Sequence, residues 1–330
     1  MFVRNKNIKI LLNYGLGPLL FAWLSYSIYK QINHQPHLKE TLQNLRLAIT
    51  GRQSWKIYMA LALVPLNWGL EARKWQLLIK PVETIRFLNA FMAILAGLAF
   101  SMNTPNRIGE YGGRALYVHE GHRWKALSLT IVGSFSQLII TLVLGAAGLL
   151  FLLNNRLTAP GIAAYQIWIR VLFSGTVLVT GSLCLLYFRI SQVIRWMEKI
   201  PKVRSFASHI AVIENIPVTI LLRTISLSFV RYIIFVFQYI LLLQLFLVEL
   251  PVWHCFWLIS VLYLILAITP TIALAELGIR GQVSLMLFTL LSTNNVGIAG
   301  AATAIWFINL VIPALAGSLL FLSLKIFSDK

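Results

Sequence analysis

Long uninterrupted apolar runs, not alternation, organise this chain. They cover residues 10–29, 55–72, 87–103, 126–153, 164–188, 216–247, 252–269 and 299–325, and a weaker ninth covers 279–292. A run of about 20 residues crosses a bilayer as helix at roughly 1.5 Å per residue, so helices are predicted and strands are not. Residues 189–213 break the pattern. Ile190, Val193, Met197, Ile200, Val203, Phe206, Ile210 and Ile213 recur every three or four positions, with Arg189, Arg195, Lys199, Lys202 and Arg204 between them and Pro201 dividing the segment. That spacing predicts two short helices lying in the membrane interface. Leu38, Leu42, Leu45 and Ile49 predict another short amphipathic helix.

Composition fixes the solvent. Of the 330 residues 58% are hydrophobic and only 12% charged, against about 25% charged in a soluble domain. Lipid must therefore cover most of the surface. The 28 Lys and Arg against ten acids leave a net charge of +18. In a membrane protein that surplus faces anionic headgroups, and with no basic soluble domain nucleic acid is not an expected partner. Asp329 is the only aspartate, so metal chemistry built on Asp pairs is excluded. No Gly-x4-Gly-Lys-Ser/Thr phosphate loop occurs either. His119-Glu120-Gly121-His122 departs from the His-Glu-x-x-His spacing, His34 and His37 flank a proline in a polar loop, and Cys184 and Cys255 lie in apolar runs. No metal and no cofactor are expected. Arg4, Lys6 and Lys9 precede the first run, which is longer than a signal-peptide core and lacks an Ala-x-Ala site, so it reads as a retained first transmembrane helix.

An internal repeat is the most informative feature. Residues 104–114 read TPNRIGEYGGR and residues 269–281 read TPTIALAELGIRG. Glu110, Gly112 and Arg114 each lie 166 positions before Glu276, Gly278 and Arg280, and the same offset carries the flanking apolar runs onto one another. Proline disfavours helix at the residue before it, so Asn103, Thr104 and Pro105 in one copy, and Thr269 and Pro270 in the other, mark helix breaks. Gly109, Gly112 and Gly278 belong to these breaks, and the glycines after each Glu permit close backbone approach. Broken helices sit at membrane depth only when buried in protein or lining a cavity. The charges beside them should therefore face inward, since each costs roughly 2.5–3.5 kcal/mol at a lipid-facing helix centre.

The basic residues choose between topologies. Eight full crossings with the N-terminus inside put 11 Lys and Arg in and 15 out, against the positive-inside rule. Treating 87–122 and 252–292 as re-entrant hairpins gives 16 in and seven out. The expected fold is an all-α polytopic membrane protein with about six full spans and two re-entrant hairpins, in an inverted-topology repeat. Residues 1–330 form one membrane domain: 1–53 an N-terminal helix and amphipathic loop, 54–188 the first repeat, 189–215 the basic interfacial segment and 216–330 the second repeat. Both termini are expected in the cytoplasm.

The stretch from Asn103 to Glu110 with Arg114 after it, the upstream Trp75-Gln-Leu-Leu, and Pro270 with Glu276-x-Gly resemble the lysylphosphatidylglycerol synthase transmembrane-region family. Its members look like the flippase-like N-terminal half of the multiple peptide resistance factor. The resemblance implies a bacterial inner-membrane protein that moves or binds phospholipid. No aminoacyl-transferase domain follows, so aminoacyl-lipid synthesis is not implied, and the second motif reads Ala-Leu-Ala-Glu where many relatives are glycine-rich.

Arg107, Arg114 and Arg280 are the candidate phosphate ligands, because a guanidinium matches phosphate bidentately and keeps its charge in low dielectric. Glu110 and Glu276 either pair with them or meet an amine headgroup. Arg231 lies deep in its run and needs an inward partner. A lipid flippase or lipid-binding transporter is the leading reading. A membrane-embedded transferase, and a helper subunit of envelope-biogenesis enzymes, are the alternatives.

Overall fold

In the computed structural model the described residues are 22–23, 25–26, 29–30, 51, 53–102, 104–154, 162–198, 211–271 and 275–321. The amphipathic helix expected at 38–49, most of the first run, Asn103, and the second interfacial helix after Pro201 lie outside them. The helices are α1 (Trp55–Ile79), α2 (Phe87–Ser101), α3 (Gly109–Ala115), α4 (Arg123–Asn154), α5 (Ile162–Phe188), α6 (Ile190–Glu198), α7 (Val218–Leu245), α8 (Val252–Ile268), α9 (Glu276–Phe288), α10 (Asn295–Trp306) and α11 (Ile312–Phe321). A π-helical segment, Phe307–Val311, joins the last two.

Length separates two kinds of helix. Glu120–Asn154, Gln166–Phe188, Val218–Leu245 and Asn295–Leu320 are long and apolar enough to cross a membrane, whereas Phe87–Ser101 and Val252–Ile268 are shorter apolar helices. Fifteen and 17 residues reach about 22–26 Å at 1.5 Å per residue, short of the roughly 30 Å hydrocarbon core. α1 is 25 residues long but carries Glu71, Arg73 and Lys74 inside it.

Each short helix starts a hairpin whose two ends are tied together. In the first, the Glu83 carboxylate just before α2 accepts the His119 backbone N–H (3.2 Å) and lies 2.9 Å from His119 Nδ1 and 3.3 Å from His122 Nδ1, just after α3. In the second, Asn294 after α9 donates its side-chain amide to the Phe246 and Leu247 carbonyls (3.0 and 3.1 Å) at the end of α7. The same Asn294 caps α10 by accepting the Gly297 N–H at 2.8 Å. Leu247 closes α7 in the left-handed region (φ 58°), with Val248 N–H reaching back to the Leu243 carbonyl at 2.9 Å. This is the six-to-one bond of a Schellman motif, built here on leucine instead of glycine.

Packing crosses between the halves. α1 lies against α7, α4 against α8, and α2 against α11. Their contact faces are buried and mostly apolar, with Ala90, Ala93, Ala96 and Ala99 among the α2 residues. Small residues let these backbones approach, which replaces the hydrophobic drive missing between helices in lipid.

α3 packs tightly on α2 at Gly113. A Cβ there would sit 2.6 Å from the Gly97 Cα, and one at Gly109 would meet the Phe100 carbonyl, whereas Gly112 and Gly278 face open space. Close approach was expected at the glycines that follow the motif glutamates; Gly113 makes it, while Gly112 and Gly278 do not. The turn of α3 aims Gly113, not Gly112, at α2. Gly113→Ala should therefore lower thermal stability in detergent by about 1–3 kcal/mol, the usual range for overpacking, while Gly112→Ala leaves it unchanged. Equal melting curves for the two variants would contradict this packing.

Candidate functional site

Two helix breaks meet at the centre of the site. α2 ends at Ser101. The Thr104 hydroxyl then donates to the Ser101 carbonyl (3.2 Å) and accepts the Gly109 N–H (2.8 Å), so one side chain satisfies both sides of the break. Asn106 and Arg107 both take positive φ, 49° and 58°. Asparagine tolerates that region, but arginine there is uncommon and costs on the order of 1–3 kcal/mol. The kink points Asn106 N–H at the Thr271 carbonyl of the second break, 2.9 Å away. Thr269 donates its hydroxyl to Ile265, 2.7 Å, at the end of α8.

Ion pairs join the two breaks. Glu276 accepts Arg107 Nη2 at 2.6 Å and also pairs with Arg280, one turn along α9. Glu110 pairs with Arg114 in the matching way on α3. Each copy of the motif thus carries its own carboxylate–guanidinium pair four residues apart, and Arg107 crosses from the first copy to the second.

A further hub lies on α1. Glu71 takes Lys74 at 2.8 Å, Arg114 at 3.0 Å and Arg231 at 2.8 Å. Lys74 Nζ also reaches the Gly133 carbonyl (3.1 Å) and Ser228 Oγ (3.3 Å). Arg231 donates its Nε to Asn67 Oδ1 at 2.8 Å, and its guanidinium lies over Trp68 (4.6 Å) and Phe235 (5.2 Å). Arg280 sits similarly over Tyr263, at 5.6 Å. Aromatic faces in low dielectric hold such cations well.

Ending the second apolar run at residue 72 left Arg73 and Lys74 outside it, and the count of 16 inside included them. The structure corrects this: α1 runs on to Ile79, and Lys74 is 1% exposed. The charged pair Glu71 and Lys74, three residues apart beside Trp68 and Trp75, was the available signal. Ionisable residues inside an apolar helix mark a site by default, and ending the run at residue 72 hid this pair.

A cavity of about 370 Å³ opens beside these charges. Arg107, Arg231, Glu276 and Arg280 line it, together with aromatic Trp68 and Tyr263. Arg107 keeps 34% of its side chain exposed, while the Glu276 and Arg280 side chains keep 7% and 9%, so Arg107 stands at the mouth. Glu110 and Arg114 are not in the lining; they reach it only through Glu71 and Arg231. Among the described residues of this cluster three carboxylates, Glu71, Glu110 and Glu276, face five cations, Lys74, Arg107, Arg114, Arg231 and Arg280. Two positive charges are left over. Asn309, in the π-helical segment, also lines the cavity; π-bulges are frequent at functional sites. Among the described residues no cluster of three or more His, Cys, Asp or Glu is placed to hold a metal ion.

Two predictions come from these networks. Glu71→Gln leaves Arg114, Arg231 and Lys74 buried without their shared acceptor. It should cost about 3–5 kcal/mol, the range for breaking a buried pair, and clearly more than Glu110→Gln. Thermal unfolding in detergent measures both; equal losses would remove Glu71 from its central position. The second concerns the loop clasp. Burial alone would raise the Glu83 carboxyl above its ordinary 4.5, but the hydrogen bonds from His119 and His122 outweigh it and hold it lower. A depressed carboxylate stabilises the fold above its unfolded-state value and loses that contribution as pH falls through the folded one. The stability gap between the wild type and Glu83→Gln should therefore be constant near neutrality and close below about pH 4. A gap that persists undiminished well below about pH 4 would contradict the clasp.

A family model described as Lysylphosphatidylglycerol synthase TM region matches residues 17–317. No curated protein and no solved structure matches the chain.

Proposed function

The chain belongs to that family, and we propose that it is a flippase-like transporter that carries phospholipid between leaflets, with the headgroup phosphate held in the cavity between the two breaks. The family sets the context as a multi-pass membrane protein in lipid handling. The observation that carries the reading is the charge imbalance: five buried or half-buried cations against three carboxylates beside a cavity. Such an excess is costly in low dielectric, and a phosphate offsets it. Arg107, Arg231 and Arg280 are the ligands on this reading. Glu276 holds Arg107 and Arg280 until the phosphate arrives, and the Glu110–Arg114 pair supports Arg231 from behind, through Glu71.

The same reading treats α2–α3 and α8–α9 as re-entrant hairpins of two inverted repeats. The tie between Glu83 and His119 and the tie between Asn294 and Phe246 support it, because each brings the entry and exit of a hairpin together. The reciprocal packing of α4 on α8 and α2 on α11 supports the duplication. Both termini then lie in the cytoplasm of a bacterial cell, with the protein in the inner membrane.

Reconstitution tests the proposal. The full chain in liposomes with a headgroup-labelled phospholipid should expose inner-leaflet label to an impermeant quencher, above protein-free liposomes. Arg231→Gln and Arg280→Gln should slow the exchange on the order of tenfold, which corresponds to about 1.4 kcal/mol. Arg223→Gln, an exposed cation outside the cluster, should leave it unchanged. No exchange by the wild type overturns the transporter reading, and a changed headgroup marks a transferase instead.

A further inference from the structure

α5 is a long apolar helix that ends at Phe188, and the chain turns there into the short helix α6. One face of α6 is docked. Ile190 and Ile194 are buried, at 9% and 2% exposed. Ser191 donates to the Glu214 carbonyl at 2.7 Å, and Arg195 Nε lies 3.5 Å from the Glu214 carboxylate. The opposite face, carrying Arg189, Gln192, Val193 and Trp196, is free of those contacts. With Ser182, Leu185 and Leu186 at the end of α5 it lines a shallow open groove of about 390 Å³. Leu185 is 66% and Trp196 64% exposed, and Arg189 has no ion-pair partner among the described residues.

We propose that this elbow binds one anionic glycerophospholipid, separately from the central cavity, with which it shares no lining residue. Three properties point to that ligand. Arg189 follows directly after a membrane-length helix, so it sits at headgroup level, where a cation and Trp196 belong. The stretch from Arg189 to Arg204 carries five cations and one acid, Glu198, which favours an anionic surface. The groove has a polar end and an apolar wall. The phosphate meets the Arg189 guanidinium and the Gln192 amide, while an acyl chain lies along Leu185, Leu186 and Val193 with Trp196 beside the ester region. A soluble anion makes no use of the exposed leucines, and a cationic ligand meets the wrong charge.

Quenching by brominated lipid tests this. The full chain is placed in phosphatidylcholine vesicles containing a fixed fraction of lipid with brominated chains, either phosphatidylglycerol or phosphatidylcholine. Subtracting the fluorescence of Trp196→Phe isolates Trp196. The Trp196 signal should report a relative affinity for the anionic lipid about fivefold higher, the equivalent of one basic residue near the surface. Arg189→Gln should abolish that preference. Arg170→Gln, an exposed cation near the other end of α5, should keep it. Equal quenching by both lipids, a preference that survives Arg189→Gln, or no quenching of Trp196 by either lipid, as under a covering protein helix, would each overturn the proposal. All three substituted residues are exposed, so the variants test binding and not folding.

Discussion

Compensation of charge inside an apolar bundle is the constraint on which the rest of this structure depends. A carboxylate or guanidinium facing lipid at a helix centre costs several kcal/mol, and this chain buries Glu71, Lys74, Arg114, Arg231, Glu276 and Arg280 to 7% exposure or less. Two carboxylates serve most of the cations. Glu71 gathers α1, α3 and α7 through Lys74, Arg114 and Arg231, and Glu276 gathers the two breaks through Arg107 and Arg280. Helices in lipid have no hydrophobic drive toward one another, so shared ion pairs and small-residue contacts must set which ones meet. The packing of α1 on α7 is where that logic shows most plainly, because Asn67, Glu71 and Arg231 bond across it.

The breaks follow from the same constraint. A continuous helix would aim Arg107 along the α2 surface. Ending α2 near Ser101 and turning Asn106 and Arg107 to positive φ sends Arg107 across to Glu276 instead. The backbone strain at Arg107 is offset by that pair and by the Asn106–Thr271 hydrogen bond. On the proposed re-entrant reading, short helices become usable because α2 and α8 need not reach the far side: Glu83 and Asn294 tie the ends of each hairpin together.

Much of this was legible in the sequence. Apolar run length predicted helices throughout, and the recurrence of Glu-x-Gly-x-Arg after Thr-Pro picked out the two segments that the structure brings into contact. Arg107, Arg231, Glu276 and Arg280 were all chosen from charge within apolar context, and all four line one cavity. Glu110 and Arg114 were chosen by the same rule but belong to the network behind it. Spacing reports which side of a helix a residue takes only when the helix's rotation is known, and α3 is just seven residues long. For that reason Gly113 could not be told from Gly112. Glu71 and Lys74 escaped because a hydropathy run is cut where charge begins, and here the helix continues through the charge. The two clasps left no sequence trace that separates Glu83 or Asn294 from any polar loop residue.

The cavity's chemistry bears on what fits it. The guanidinium groups of Arg231 and Arg280 lie over the rings of Trp68 and Tyr263, so a cationic headgroup competes with them for these rings. Polar capacity remains elsewhere: among the described residues Trp68 Nε1 and Arg280 Nε are buried donors without a hydrogen-bond partner, and Asn309 Oδ1 is a buried acceptor without one. Unmet groups of this kind cost about 1–3 kcal/mol each. On the proposed reading a headgroup that brings phosphate oxygens and a hydroxyl satisfies all three kinds of demand: excess positive charge, free donors and a free acceptor. A headgroup that brings a bulky cation satisfies only the phosphate part. One of the two excess positive charges lies with Arg107 and Arg280 around Glu276, and the other with Lys74, Arg114 and Arg231 around Glu71 and Glu110. A fully balanced cluster would hold the breaks together without leaving anything for a ligand to do, whereas on the proposed reading this one is completed by an anion from outside.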